Sequence, residues 1–270
     1  MKHSPRTGVF FSLILGSLMI LQPGCRSRPK EIPISTYSKE ARNLFRDARA
    51  KFEFHHTEEA DALLSAALKK DPLFAQAHVY KALTSSASDE IDQAIAKATT
   101  NASRTTKAEQ VLISAIKAFR WENNPEKATE LYHQLIELNP DDARARWLLG
   151  RVYIKTKETL KAIEQLERAI QIDPEFAPAF QDLGYRNLIR GDYQSAEEHF
   201  QKYLELVPDE PNSHDCIADL YTKTGRYEQA IDHYRKALEL NPAFAISERN
   251  IGINLCFLGK FEEGQTPMGF

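Results

Sequence analysis

Proline falls at Pro72, Pro140, Pro174, Pro208 and Pro242, at separations of 68, 34, 34 and 34 residues. The one empty slot in that phase holds Thr106. A period of this length has room for one supersecondary unit. Such a unit cannot bury its apolar face alone, so successive units must stack. Windows at 41–74, 75–108, 109–142, 143–176, 177–210, 211–244 and 245–270 align more than proline. The twentieth place holds Ala60, Ala94, Ala128, Ala162, Ala196 and Ala230. Four residues on stand Leu64, Ala98, Tyr132, Leu166, Phe200 and Tyr234. Three further on stand Ala67, Asn101, Leu135, Ala169, Tyr203 and Ala237. Offsets of 0, +4 and +7 draw one stripe along a helix. The eighth place is also small, with Ala48, Ala82, Gly150, Gly184, Ala218 and Gly252, and Ile116 as the exception.

Each window therefore predicts two antiparallel helices, with small residues where the backbones approach and larger ones filling the groove one turn away. Gly191, Gly225 and Gly259 are placed to end first helices in the left-handed conformation. Asn123-Asn124-Pro125 does the same service in the third window. Asp71, Asn139, Asp173 and Asn241 precede the prolines that stop the second helices. Gly plus Pro is 24 of 270 residues, too few for a turn-dense all-β chain, and 42% hydrophobic residues suffice for a core.

Leu149-Gly150, Tyr153, Ala162, Ala169 and Pro174, with their equivalents through 244, resemble the tetratricopeptide repeat family. The resemblance covers roughly 41–264 and is weakest in the second window. It implies an all-α, right-handed solenoid of about seven repeats, the last incomplete, with a concave groove lined by the first helices. The solenoid is expected over 39–264, with its last repeat at 245–264 and a disordered tail at 265–270.

The first thirty residues carry +5 and no acid, leaving −8 for the other 240. A basic head (Lys2, Arg6) precedes Val9–Leu21, a 13-residue run without charge. That run is short for a spanning helix and fits the apolar region of an export signal. Gly24-Cys25 just beyond it resembles a bacterial lipoprotein signal, in which the Cys25 thiol is acylated. Gln22 and Pro23 depart from that pattern. A cleaved secretory signal and an uncleaved signal anchor are the alternatives. All three readings place the chain at or beyond a membrane, with residues 1–25 as the signal. Residues 26–38, with two prolines and mixed charge, read as a flexible tether, and Ser38 as the first helix N-cap.

No phosphate loop, nucleophile elbow or spaced Cys/His set is present. The expectation is no enzyme, no cofactor and no metal. The acidic body argues against a nucleic-acid partner. His55-His56 with Glu58 and Glu59 reads as a solvated turn, His199 and His233 as an exposed convex face, and Cys216 and Cys256 as unbridged thiols. By the family resemblance, the groove offers a protein or peptide partner Arg144, Trp147, Arg151, Gln181, Tyr185, Asp215, Asp219 and Arg249. The alternative is that Trp147 packs between repeats and the arginines pair with neighbouring acids. The Lys, Asn and Arg set by which some relatives hold a terminal carboxylate is not matched. Of the asparagine ladder of sugar-transferase repeats, only Asn250 is present. The chain reads as a membrane-tethered, non-enzymatic scaffold, similar in architecture to repeat lipoproteins that assist pilus, secretin or outer-membrane assembly. The rivals are a sensor or regulatory module of a longer polypeptide, and an accessory enzyme whose site no motif supplies.

Overall fold

A computed structural model describes residues 31–260. The expected signal, Cys25, the second helix opening at Phe261 and the tail at 265–270 lie outside them. The described residues form thirteen helices and no strand. In chain order they are α1 (Lys39–Glu53), α2 (Thr57–Lys70), α3 (Ala75–Thr84), α4 (Ser88–Ala102), α5 (Lys107–Arg120), α6 (Pro125–Leu138) and α7 (Ala143–Lys155). There follow α8 (Thr159–Ile172), α9 (Ala177–Arg190), α10 (Tyr193–Leu206), α11 (Pro211–Lys223), α12 (Tyr227–Leu240) and α13 (Ala245–Phe257). Each odd helix pairs with the even helix after it, and the pairs stack in order, as an α-solenoid.

The packing stripe is where the period puts it. The six twentieth-place alanines are buried, and the residues four places on are at most 1% exposed. The eighth place faces them. A Cβ on Gly150 would lie 3.1 Å from Leu166, and one on Gly184 would overlap the Phe200 ring. The aromatic ring thus occupies the volume that the missing side chain leaves, a burial contributing about 1.5–3 kcal/mol.

The hairpin turns share one backbone device. The fifteenth place has positive φ in six windows: His55 (67°), Asn123 (46°), Lys157 (64°), Gly191 (79°), Gly225 (77°) and Gly259 (77°). His55 and Lys157 reach this conformation without glycine, so their turns carried no signal in the sequence. The second window is irregular. Its first helix stops after ten residues at Thr84, and α4 opens at Ser88, so its fifteenth place is helical. Thr106, in the empty proline slot, starts the next helix by a capping box with Glu109, so α5 opens two residues ahead of its window.

Residues 31–37 are not a free tether, which corrects that reading for this part of 26–38. They are extended and docked on the joints between repeats. Ile32 and Ile34 are buried. The Ile32 amide donates to Asp142 (2.6 Å), Ser35 donates to Glu109 (2.7 Å, from its amide), and the Thr36 hydroxyl donates to Asp71 (2.5 Å). Gln76 Nε2 donates to the Pro33 carbonyl at 2.6 Å. Asp142 and Glu109 also serve the helix starts of α7 and α5. Buried carboxylates that already accept from helix amides have lone pairs left for a passing strand. Ser38 then caps α1 as expected, accepting from the Ala41 amide.

Gly184→Ala is expected to cost about 1–3 kcal/mol by overpacking, read as a lower thermal midpoint, and Phe200→Leu in the same chain should recover part of it. An unchanged midpoint for Gly184→Ala contradicts the close approach of α9 and α10.

Candidate functional site

The odd helices line the concave side, and that side is not an empty trough. The stack curls until the turn between α1 and α2 reaches repeats four to six. Glu53, 5% exposed, pairs with Arg144 of α7 through Nε at 2.5 Å and Nη2 at 3.2 Å. Burial by itself lowers the Arg144 pKa, but the Glu53 carboxylate more than offsets it and holds the guanidinium protonated. Losing one partner of such a pair costs about 3–5 kcal/mol, because the other is left buried and charged. Phe54 packs against the apolar cluster of α9 to α13. His56 Nε2 lies 2.7 Å from Glu210, 154 residues away. His55 keeps an accessible ring deep in the concavity, and its pKa is lowered by desolvation and by Arg151. His55, Glu58 and Glu59 are exposed, as a solvated turn requires, but that reading is corrected for His56, whose contact with Glu210 helps to close the curl.

The residues expected to line the groove lie on it, but most have intramolecular partners. Trp147 is 3% exposed, stands edge-on to Phe176, and donates from Nε1 to Asp182 at 2.7 Å. Arg151 lies 5.1 Å above the Trp147 ring. Gln181 Nε2 is 3.9 Å from Cys216 Sγ. Tyr185 donates to Asp219 at 2.9 Å, and Tyr234 donates to the other oxygen at 2.7 Å. Asp215, 4% exposed, accepts from Ser247 at 2.6 Å. Arg249 is exposed. Arg144, Trp147 and Asp215 are thus interior residues, which corrects their reading as open groove surface.

Sequence reasoning missed Glu53, Asp182 and Ser247 as partners of these groups, and the pairing of His56 with Glu210. Trp147–Asp182, Tyr185–Asp219 and Asp215–Ser247 are separated by 35, 34 and 32 residues, so a search for polar pairs one period apart would find them. No such signal exists for Glu53 or His56.

Elsewhere the chemistry is quiet. His199 and His233 are half-buried, not exposed. His199 Nδ1 contacts the Ser195 carbonyl, and His233 Nδ1 lies 3.2 Å from His214 Nδ1. Desolvation and then His214 lower the His233 pKa to about 4. Cys216 is buried, Cys256 is exposed, and both are free. Among the described residues no group of three His, Cys, Asp or Glu side chains is placed to hold a metal.

Asp215 gives a test of this polar layer. Burial raises its carboxyl from the ordinary 3.8 to about 6, partly opposed by the Ser247 hydrogen bond, with Asp219 adding to the rise. A raised carboxyl favours the fold below the unfolded value, near pH 4, and that contribution is lost as pH climbs to about 6. Asp215→Asn should therefore change the melting midpoint little at pH 4 and raise it relative to wild type at pH 7.5. A pH-independent difference contradicts a buried, titrating Asp215.

Two tetratricopeptide-repeat family models match the chain, one over residues 122–184 and one over 216–244. No curated protein matches it. Among solved structures, PilW, described as a widely conserved type IV pilus biogenesis factor, is 18% identical, with TM-score 0.51 over 77% of this chain and 96% of its own. MamA is 23% identical, with TM-score 0.51 over 56% of this chain and 87% of its own. A MamA from Desulfovibrio magneticus RS-1 is 15% identical, with TM-score 0.54 over 59% of this chain and 90% of its own. At these identities the likeness is one of fold. The matched stretches fall on α6 to α9 and on α11 and α12, so the chain contains tetratricopeptide repeats and folds as the solenoid that they build.

Proposed function

We propose that the chain is a non-enzymatic scaffold that is carried to a membrane by its N-terminus and holds a protein or peptide on the concave side of repeats five to seven. One observation carries the choice of those repeats. The α1–α2 turn covers the concave side of repeats four and five, whereas a cleft of about 290 Å³ stays open further along, lined by Leu188, Asp219, Lys223, Asn250 and Ile253 among others. Ile253 is 43% exposed. Mixed apolar and charged side chains at an accessible concavity suit an extended segment, with Asp219 favouring a basic residue on it. Tetratricopeptide repeats bound elsewhere by proteins make a protein partner the natural class, and the fold shared with a pilus biogenesis factor is in keeping with a place at the cell envelope.

No described helix is long and apolar enough to cross a membrane, so attachment rests on the signal. Acylation of Cys25 is the reading favoured by Gly24-Cys25 after the apolar run. Six peptide steps separate Cys25 from Glu31, which reach at most about 20 Å. A lipid at Cys25 then holds the docked arm, and the edge of the stack that it crosses, close to the bilayer.

Mass spectrometry of the mature chain should find Cys25 as a lipid-modified N-terminus. An intact Met1, or a cleaved chain with an unmodified Cys25, rules out lipidation. A photocrosslinking residue in place of Asn250 should capture a discrete partner in the native cell, while one in place of the exposed Gln194 should not. Equal capture at both positions contradicts the groove assignment.

A further inference from the structure

The first four repeats enclose a second cavity, of about 280 Å³, that the scaffold reading does not use. It stands at the small end of the roughly 300–1,000 Å³ typical of ligand sites. Phe52, Tyr80, Phe119, Tyr132 and Trp147 give it an aromatic wall, and the α1–α2 turn forms its rim through Glu53, His55 and Thr57.

Two features of this wall are unbalanced. Tyr80 and Tyr132 are only 3% and 1% exposed, and neither hydroxyl makes a hydrogen bond among the described residues, yet neither is an orphaned, fully buried polar atom. Arg120 and Arg151 also line the cavity, and neither has a carboxylate within ion-pair distance among the described residues. Glu53, the acid on the rim, is already held by Arg144. Asp182 is close enough to Arg151 for their charges to interact, but it accepts from Trp147. The cavity therefore has two phenol hydroxyls and two guanidinium groups without ion-pair partners around an apolar interior, with Arg151 standing over the Trp147 ring and Arg120 at the exposed margin.

We propose that this chamber binds a small organic carboxylate, with its apolar body against the aromatic wall and its carboxylate facing Arg151, Arg120 and the two phenols. A carboxylate accepts several donors at once and is strengthened by guanidinium groups in a site of low dielectric. The volume admits a body of side-chain size, and the rim formed by the α1–α2 turn restricts anything longer. The same chemistry occurs at the C-terminal residue of a peptide, so the test separates the two sources.

Calorimetric titration of the intact chain with 3-phenylpropionate should show saturable binding. 3-Phenylpropionamide, which has the same body without the charge, should bind at least tenfold more weakly. Arg151→Gln should weaken the acid by at least tenfold. Tyr132→Phe, which removes only a hydroxyl, should weaken it severalfold without changing helicity. Arg235→Gln, exposed on α12 and away from the chamber, should leave it unchanged. Equal binding of acid and amide overturns the proposal, as does absence of binding by the acid. Binding of a tetrapeptide ending in Phe, without binding of the free acid, overturns the small-molecule occupant. The photocrosslink at Asn250 reports on repeats five to seven and is read independently of this titration.

Discussion

The helix pairs of repeats one and four to six depend on a size match between two places in the repeat, which the third repeat, with Ile116 and Tyr132, does without. A small residue at the eighth place leaves a hollow on the first helix, and a large one at the twenty-fourth fills it from the second. Gly184 with Phe200 and Gly150 with Leu166 are the tightest cases, where even a methyl group meets the partner side chain. The alanine at the twentieth place keeps the backbones near enough for that filling to exclude water. Protein interiors are packed densely enough that a change of one carbon is felt. The same contact recurs from pair to pair, so the stack is regular wherever the match is kept. It becomes irregular in the second repeat, where both places hold alanine (Ala82 and Ala98) and α3 is short.

The joints between repeats are held differently. They use carboxylates, and the arm at residues 31–37 reads those carboxylates in turn. Asp71, Glu109 and Asp142 would each be expensive to bury unpaired. Helix amides, Gln76 and the arm satisfy them together. The arm adds a brace along one edge of the first repeats, on the side from which the N-terminus leaves. Its docking couples the route of the chain toward its proposed anchor with the curvature of the solenoid.

Curvature is also what divides the concave side. Where the α1–α2 turn meets repeats four to six, Glu53–Arg144 and His56–Glu210 take up groups that a partner would otherwise meet. Beyond that contact the groove opens at Asp219, Asn250 and Ile253. Behind it lies the aromatic chamber. A single closure thus separates an open cleft from an enclosed space of similar volume.

Period, helix pairing, the glycine turns, the Ser38 cap and the small-to-large stripe were legible in the residues themselves, because each depends on neighbours within one or two turns or one repeat. The polar links at 32 to 35 residues were legible in principle for the same reason. His55 and Lys157 took the left-handed conformation unannounced, because the stacked helices on either side impose it at a modest local cost. The docked arm, the Glu53–Arg144 pair and the His56–Glu210 contact belong to the tertiary structure alone. They join residues up to 154 positions apart, and their meeting depends on small rotations summed over every intervening joint. No local spacing records that sum, so the residues determined a stack of hairpins, and only its curl decided which part of the groove stays open.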